Sequence, residues 1–140
     1  MIVGYYLGKG ARAQFEFGGL LIAVYNSDTG RFETIAKIGS GFSEEEMMQL
    51  KEKLDSIKRE TPPSDLDYKL EPDFWVEPKY VVEVVFDEIT ESPIHTCGMH
   101  GEKGYALRFP RMLRLREDKA PNEATTTDEI KEMYAMQHKK

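Results

Sequence analysis

The chain has 140 residues, 40% of them hydrophobic, and 19 Lys and Arg against 25 Asp and Glu give it a formal net charge of -6. That length suits one domain with a buried core and is short for two, while the acidic balance excludes a protein that coats nucleic acid indiscriminately. A lone cysteine, Cys97, excludes an internal disulfide framework, and no apolar run reaches the roughly 18 residues of a membrane span.

The start, MIVGYYLGKG, lacks the basic flank, apolar stretch and small-residue cleavage site of a signal peptide, so an intracellular, reducing setting without a membrane partner is expected. Ile2 to Leu7 reads as a strand, followed by a basic turn GKGAR. FGGLLIAVYN has the apolar middle of a strand buried on both faces, Asn26 to Gly30 supplies turn residues, and RFETIAKIG resumes, so residues 18–39 read as a hairpin. Gly18-Gly19 is expected to permit a bulge or close backbone approach, since no helix follows to make a phosphate cradle. SEEEMMQLKEKLDSIKRE is one amphipathic helix, with a capping-box signature at Ser43 and Glu46 and apolar spacing through Met47, Leu50, Leu54 and Ile57.

Residues 61–67 read as a loop, and KYVVEVVFDEI reads as a fourth strand. Ser92 to Gly104 is a second loop, expected to be an ordinary flexible one. Its His95, Cys97 and His100 lie within six residues, but no fourth ligand is visible for zinc, so no metal is assigned. GYALRF with MLRLR forms a fifth strand, broken at Pro110, which removes a ladder hydrogen bond. Thr126 and Glu129 then open a final helix with Ile130, Met133 and Tyr134 on one face. Three strands, a helix and two strands is the order of the five-stranded OB barrel (β-β-β-α-β-β), here with a C-terminal helix added; the expected division is 1–125 for the OB domain and 126–140 for helix and tail.

Charge is distributed unevenly. Residues 108–119, RFPRMLRLREDK, hold five cations against Glu117 and Asp118, a net of +3 that leaves -9 on the other 128 residues. Tyr105, Leu107 and Phe109 share one strand face, Arg108 points to the other, and Arg114 and Arg116 again share a face. Arginine forks grip phosphate oxygens bidentately. Charge and spacing alone leave two readings open: a phosphate-binding strip, or a solvated strand face laced with ion pairs.

The string RFPRMLRLREDKAPNEATT resembles motif VI and its flank in the cellular ATP-dependent DNA ligases of archaea and eukaryotes, through RFPR and the Arg-x-Asp-Lys signature at Arg116, Asp118 and Lys119. GYYLGKGARAQFEFGGLLIAVYN, KIGSGFSEEE and ESPIH resemble further segments of the same C-terminal OB domain. The family's catalytic Lys-x-Asp-Gly motif belongs to an upstream nucleotidyltransferase domain and does not occur here; Lys53-Leu-Asp-Ser56 ends in serine and lies inside the expected helix. The chain is therefore expected to be part of a longer enzyme, inactive by itself.

The resemblance implies ATP and magnesium as cofactors of the full enzyme, and self-adenylylation, AMP transfer to a 5′-phosphate and nick sealing as its reaction. It implies catalytic roles for Arg116, Asp118 and Lys119, with Arg111, Arg116 and Lys119 as the nucleotide-phosphate contacts. Arg116 and Lys119 would meet departing pyrophosphate; Asp118 would orient its basic neighbours, or merely hold the loop by an ion pair. For nicked duplex DNA it implies contacts from Lys9, Arg12, Arg108, Phe109 and Arg114, with Phe109 as a minor-groove wedge, although the alternation alone would put Phe109 in the core. Implied partners are the nucleotidyltransferase domain of the same enzyme and a sliding clamp, with the protein a monomer, in cytoplasm or nucleoid of an archaeon or the nucleus of a eukaryote. Two other readings stay open: a non-catalytic OB nucleic-acid-binding module, and the OB domain of an RNA ligase or capping enzyme.

Overall fold

The computed structural model describes residues 1–8, 18–39 and 42–137. β1 (Ile2–Tyr6), β2 (Gly19–Asn26) and β3 (Arg31–Ile38) form an antiparallel meander. The apolar run of β2 is explained by burial on both sides: Leu20, Ile22 and Val24 enter one core cluster and Leu21 and Ala23 the opposite one, with the period of two that a strand imposes. The hairpin turn is held by the Asn26 side-chain oxygen, which accepts from the backbone N–H of Asp28 at 3.0 Å, and by Gly30 at φ 73°, where a side chain would be strained. Gly19 provides the close approach expected of it, since a Cβ there would lie 2.7 Å from the Ile38 carbonyl oxygen.

α1 (Glu44–Asp55) starts at a reciprocal capping box: the Ser43 hydroxyl accepts from Glu46 N–H and the Glu46 carboxylate accepts from Ser43 N–H, both at 3.1 Å. Met47, Leu50 and Leu54 are buried. The helix is shorter than its apolar spacing implies. The Ser56 hydroxyl donates to the Lys53 carbonyl at 2.6 Å and ends the last turn, so Ile57 packs on the core from a turn. Beyond it, β4 (Lys58–Arg59), β5 (Leu66–Asp67) and β6 (Phe74–Val76) extend the meander to six strands in the order β4-β6-β1-β2-β3-β5. The expected loop at 61–67 thus contributes a short parallel pairing to β3, through Phe32 with Leu66.

The expected fourth and fifth strands are each divided in two. β7 (Val81–Val85) and β8 (Glu88–Ser92) run antiparallel to β11 (Arg111–Arg116) and β10 (Lys103–Arg108), respectively. Both partners break at the same level, at Phe86-Asp87 and Phe109-Pro110, and Asp87 N–H still donates to the Arg108 carbonyl at 3.0 Å across the break. The two segments therefore form one long ribbon with a shared bend. The ends of this ribbon meet the meander: Ile2 N–H donates to Tyr80 O at 2.9 Å, and β3 packs along β10. These junctions give the closure of a five-stranded OB barrel.

One expectation fails in the segment 92–104. Its middle forms β9 (Cys97–His100), paired with β10, and His95, Thr96 and Cys97 are buried. Thr96 N–H donates to Thr34 O at 3.2 Å, and the Thr96 hydroxyl donates to Asp67 O at 2.6 Å, so backbone and side-chain bonds fix what composition reads as a flexible loop. α2 (Thr127–Gln137) follows a 3-10 turn at Pro121–Glu123 and is capped as expected, with Glu129 N–H donating to the Thr126 hydroxyl at 3.2 Å and the Glu129 carboxylate accepting from Thr126 N–H at 3.1 Å. Ile130 is buried against the barrel and Tyr134 packs on its edge, while Met133 is more exposed.

Candidate phosphate and nucleic-acid interface

The arginines of 108–119 are arranged by the ribbon. Between Met112 and Arg114 the pairing of β11 with β7 slips by one residue, leaving Leu113 as a bulge that is 57% exposed. The bulge has a specific effect on side-chain direction. Arg111, Arg114 and Arg116 lie opposite Val85, Glu83 and Val81, and so share one face, whereas Met112 and Leu115 lie opposite Val84 and Val82 and pack on the core. Without the extra residue, positions 111 and 114 would point to opposite sides.

Each of these arginines meets a carboxylate. Arg108 Nη1 lies 2.7 Å from Glu88, Arg111 Nη2 3.4 Å from Asp87, and Arg114 Nε 2.7 Å from Glu83. Arg116 donates through Nε and Nη2 to the two Asp118 oxygens at 3.0 and 2.9 Å, and its Nη1 lies 3.8 Å from Glu83. The Arg116 hydrogen bonds bring Asp118 down to about 2, so it is ionised at any working pH. Asp118 occupies the side edge of the fork. The end edge, Nη1 with Nη2, retains N–H groups for another acceptor. Lys119 has no ion-pair partner within 4 Å among the described residues; with Arg116 and Glu83 it lines a cleft of about 380 Å³ whose floor includes Ile22, Val82 and Ile130. Lys53, on α1, reaches Glu117 at 3.1 Å and ties the helix to this turn, which is the place of the Lys-Leu-Asp-Ser look-alike in the fold.

Phe109 departs from the face assigned by alternation. Tyr105 and Leu107 pack on the core, but Phe109 stands past the end of β10 at φ 52° and is 58% exposed, with the Arg108 guanidinium 5.0 Å from its ring centre. A positive φ is unfavourable for a bulky residue. The bend before Pro110 turns the ring out of the barrel. Lys9 and Arg12 lie outside the described residues.

The cluster His95, Cys97 and His100 does not converge. His95 Nδ1 lies 3.3 Å from the Thr34 hydroxyl and burial lowers its pKa to about 4, whereas burial pushes the Cys97 thiol up to about 12. His100 points outward to Glu91 at 3.1 Å. Among the described residues no group of three or more His, Cys, Asp or Glu side chains could hold a metal ion.

Residues 13–119 match the family described as "ATP dependent DNA ligase C terminal region". The chain belongs to that family. It is 52% identical over 141 residues to "Probable DNA ligase" of Dictyoglomus turgidum and 48% identical over 143 residues to "DNA ligase" of Saccharolobus solfataricus, matches that cover 99% and 100% of this chain. This ligase C-terminal region spans 24% of the length of either relative. Among solved structures it is similar to "Crystal Structure of the Ligase Domain from M. tuberculosis LigD at 2.4A", with TM-score 0.62 and 28% identity over 89% of this chain and 36% of that one. A second similar structure, "mycobacterial DNA ligase D complexed with ATP and MES", gives TM-score 0.60 and 25% identity with the same coverage. Those likenesses agree with an OB barrel followed by a C-terminal helix.

The ion pairs on the arginine strip were open to sequence reasoning only as an alternative. Residues 81–92 contain four acids and no cation, which is the signal that could have indicated where the partners lie.

Proposed function

We propose that this ligase C-terminal region works within a longer ATP-dependent DNA ligase, closing on a nucleotidyltransferase domain for self-adenylylation and then lying against nicked duplex DNA for AMP transfer and sealing. The division of the chain into an OB unit at 1–125 and a helix with tail at 126–140 is part of this reading. The observation that carries it is the juxtaposition of Arg116, at the end of β11 and held by Asp118, with Lys119, which lines the same cleft and has no ion-pair partner within 4 Å among the described residues.

In this reading the end edge of the Arg116 fork and the Lys119 ammonium meet the negative charge that develops on departing pyrophosphate. Asp118 is the positioning group: by holding Nε and Nη2 it fixes the plane of the guanidinium. Arg111 contributes a further phosphate contact. ATP, with magnesium, is the cofactor of the whole enzyme and supplies the adenylyl group, and Arg116 and Lys119 are the cations this region offers to its phosphates. Arg108, Phe109 and Arg114, with Lys9 and Arg12, form the DNA face, with Phe109 as the wedge and the arginines on phosphates that position the duplex. A sliding clamp, a monomeric state and an intracellular compartment complete the proposal.

Lys119→Ala in the whole ligase tests it. Formation of the enzyme–AMP bond should slow by on the order of 30- to 1000-fold, and sealing of a nick that already carries 5′-AMP should remain near wild type. Equal slowing of both reactions would make Lys119 a structural residue and refute the pyrophosphate assignment.

A further inference from the structure

We infer that Glu83, Asp87 and Glu88 are built-in counterions of the arginine strip, which set its affinity for duplex DNA and make that affinity less dependent on salt than its number of arginines implies. This rests on the DNA face proposed above, extended to Arg111, which shares a strand face with Arg114 and is free for the duplex once the nucleotide step is over. Three observations converge on it. Glu88 and Arg108 are direct cross-strand partners, as are Glu83 and Arg114, so the ribbon's register places each acid beside its cation. Asp87 occupies the bend and reaches Arg111, so the acid series continues through the level at which both strands break. The acids are also partly accessible, with side-chain exposures of 35% for Glu83 and 46% for Glu88, so an incoming phosphate can exchange with them without unfolding anything.

The physical consequence concerns ion release. A bare arginine that neutralises a DNA phosphate releases a condensed cation, and each such contact steepens the salt dependence. An arginine that leaves a carboxylate for a phosphate strands an anion beside the DNA, and that anion takes up a cation. The release is then partly cancelled. Exposed pairs of this kind are individually weak, so phosphate competes with them successfully, but three in a row lower the net affinity appreciably. The strip would thereby discriminate against loose, purely electrostatic attachment.

The test is binding of a fluorescent nicked duplex by the full polypeptide carrying these residues, over a roughly tenfold range of KCl. The variant Glu83→Gln, Asp87→Asn, Glu88→Gln is compared with Glu60→Gln, Glu71→Gln, Glu102→Gln, which makes the same change in net charge at exposed acids that pair with no arginine among the described residues. The expected result is on the order of tenfold tighter binding at low salt and a log–log slope steeper by about two to three units for the first variant, with the control close to wild type. Glu88→Gln alone should give about a third of the slope change. Equal effects in both triple variants would reduce the matter to overall charge and overturn the inference, and weaker binding by the first variant would overturn it by showing that the acids hold the arginines in a productive pose. If neither the wild type nor the first variant bound the duplex, the inference would fall together with the proposed DNA face; the two former outcomes leave that face intact.

Discussion

The buried carboxylate of Glu33 accepts a 2.7 Å hydrogen bond from the hydroxyl of Thr127, 94 residues further along the chain. The same oxygen accepts from Gly98 N–H at 3.0 Å, and the other accepts from the Asn26 side chain at 3.1 Å. One acid on β3 thus fastens the start of α2, the edge strand β9 and the first hairpin. Glu33→Ala leaves three donors without their acceptor, and should cost about 3 kcal/mol in urea unfolding. A cost below about 1 kcal/mol would mean that water replaces the carboxylate and that α2 is held by its other contacts, Ile130 and Tyr134 on the barrel and Gln137 on Ile89.

His95 predicts a pH dependence of stability. Its folded pKa of about 4 lies below the ordinary value of 6.5, because burial disfavours the charged ring. The unfolded chain therefore takes up a proton as pH falls below 6.5 while the folded chain resists until about 4, so stability is complete above 6.5 and declines through that window. The full loss is on the order of 3 kcal/mol. Unfolding free energies at the two ends of the window should show it in the wild type and not in His95→Gln; the same decline in that variant would assign it to carboxylates instead.

Phe109→Ala should separate binding from folding. The exposed ring contributes little to the core, so stability should change by less than about 0.5 kcal/mol. In the whole ligase the variant should form its AMP adduct at a near-normal rate, yet engage nicked duplex roughly 10- to 100-fold less well. Undiminished engagement would show that the ring is not a wedge.

Asp118→Asn should slow adenylylation by about tenfold or more while leaving ATP affinity within about twofold, because the amide holds the Arg116 fork less firmly without removing its charge. Since the Asp118 carboxyl sits near 2, the wild-type pH profile should contain no acidic limb from this group near neutrality. If ATP affinity dropped and the rate at saturation held, Asp118 would be acting on binding and not on orientation.

Local rules were legible where both partners lie within a few residues. The Ser43–Glu46 and Thr126–Glu129 caps, the Asn26 turn and the strand break at Pro110 all lie where their sequence signatures put them. What could not be read depended on distant partners. Glu33 looks like an outward strand residue until Thr127 is beside it, and the Arg114–Glu83 pairing requires the register of β11 on β7. β9 was missed because four residues, Cys-Gly-Met-His, carry no strand pattern of their own and owe their conformation to β10. Alternation alone puts Phe109 on the core face, because it carries the pattern one residue past the point where its positive φ ends the strand, whereas the family resemblance implies an exposed wedge. For the basic strip, composition located the cations but not the acids that neutralise them.

The bulge at Leu113 makes length, rather than identity, the sensitive property of β11. Its side chain is largely in solvent, so many residue types should serve there equally well. Deleting it would rotate the preceding half of the strand by one pleat, burying Arg111 and expelling Met112. In a set of related sequences this position should vary freely in letter and almost never be gapped, a pattern that scoring by residue similarity alone would mistake for an unimportant site.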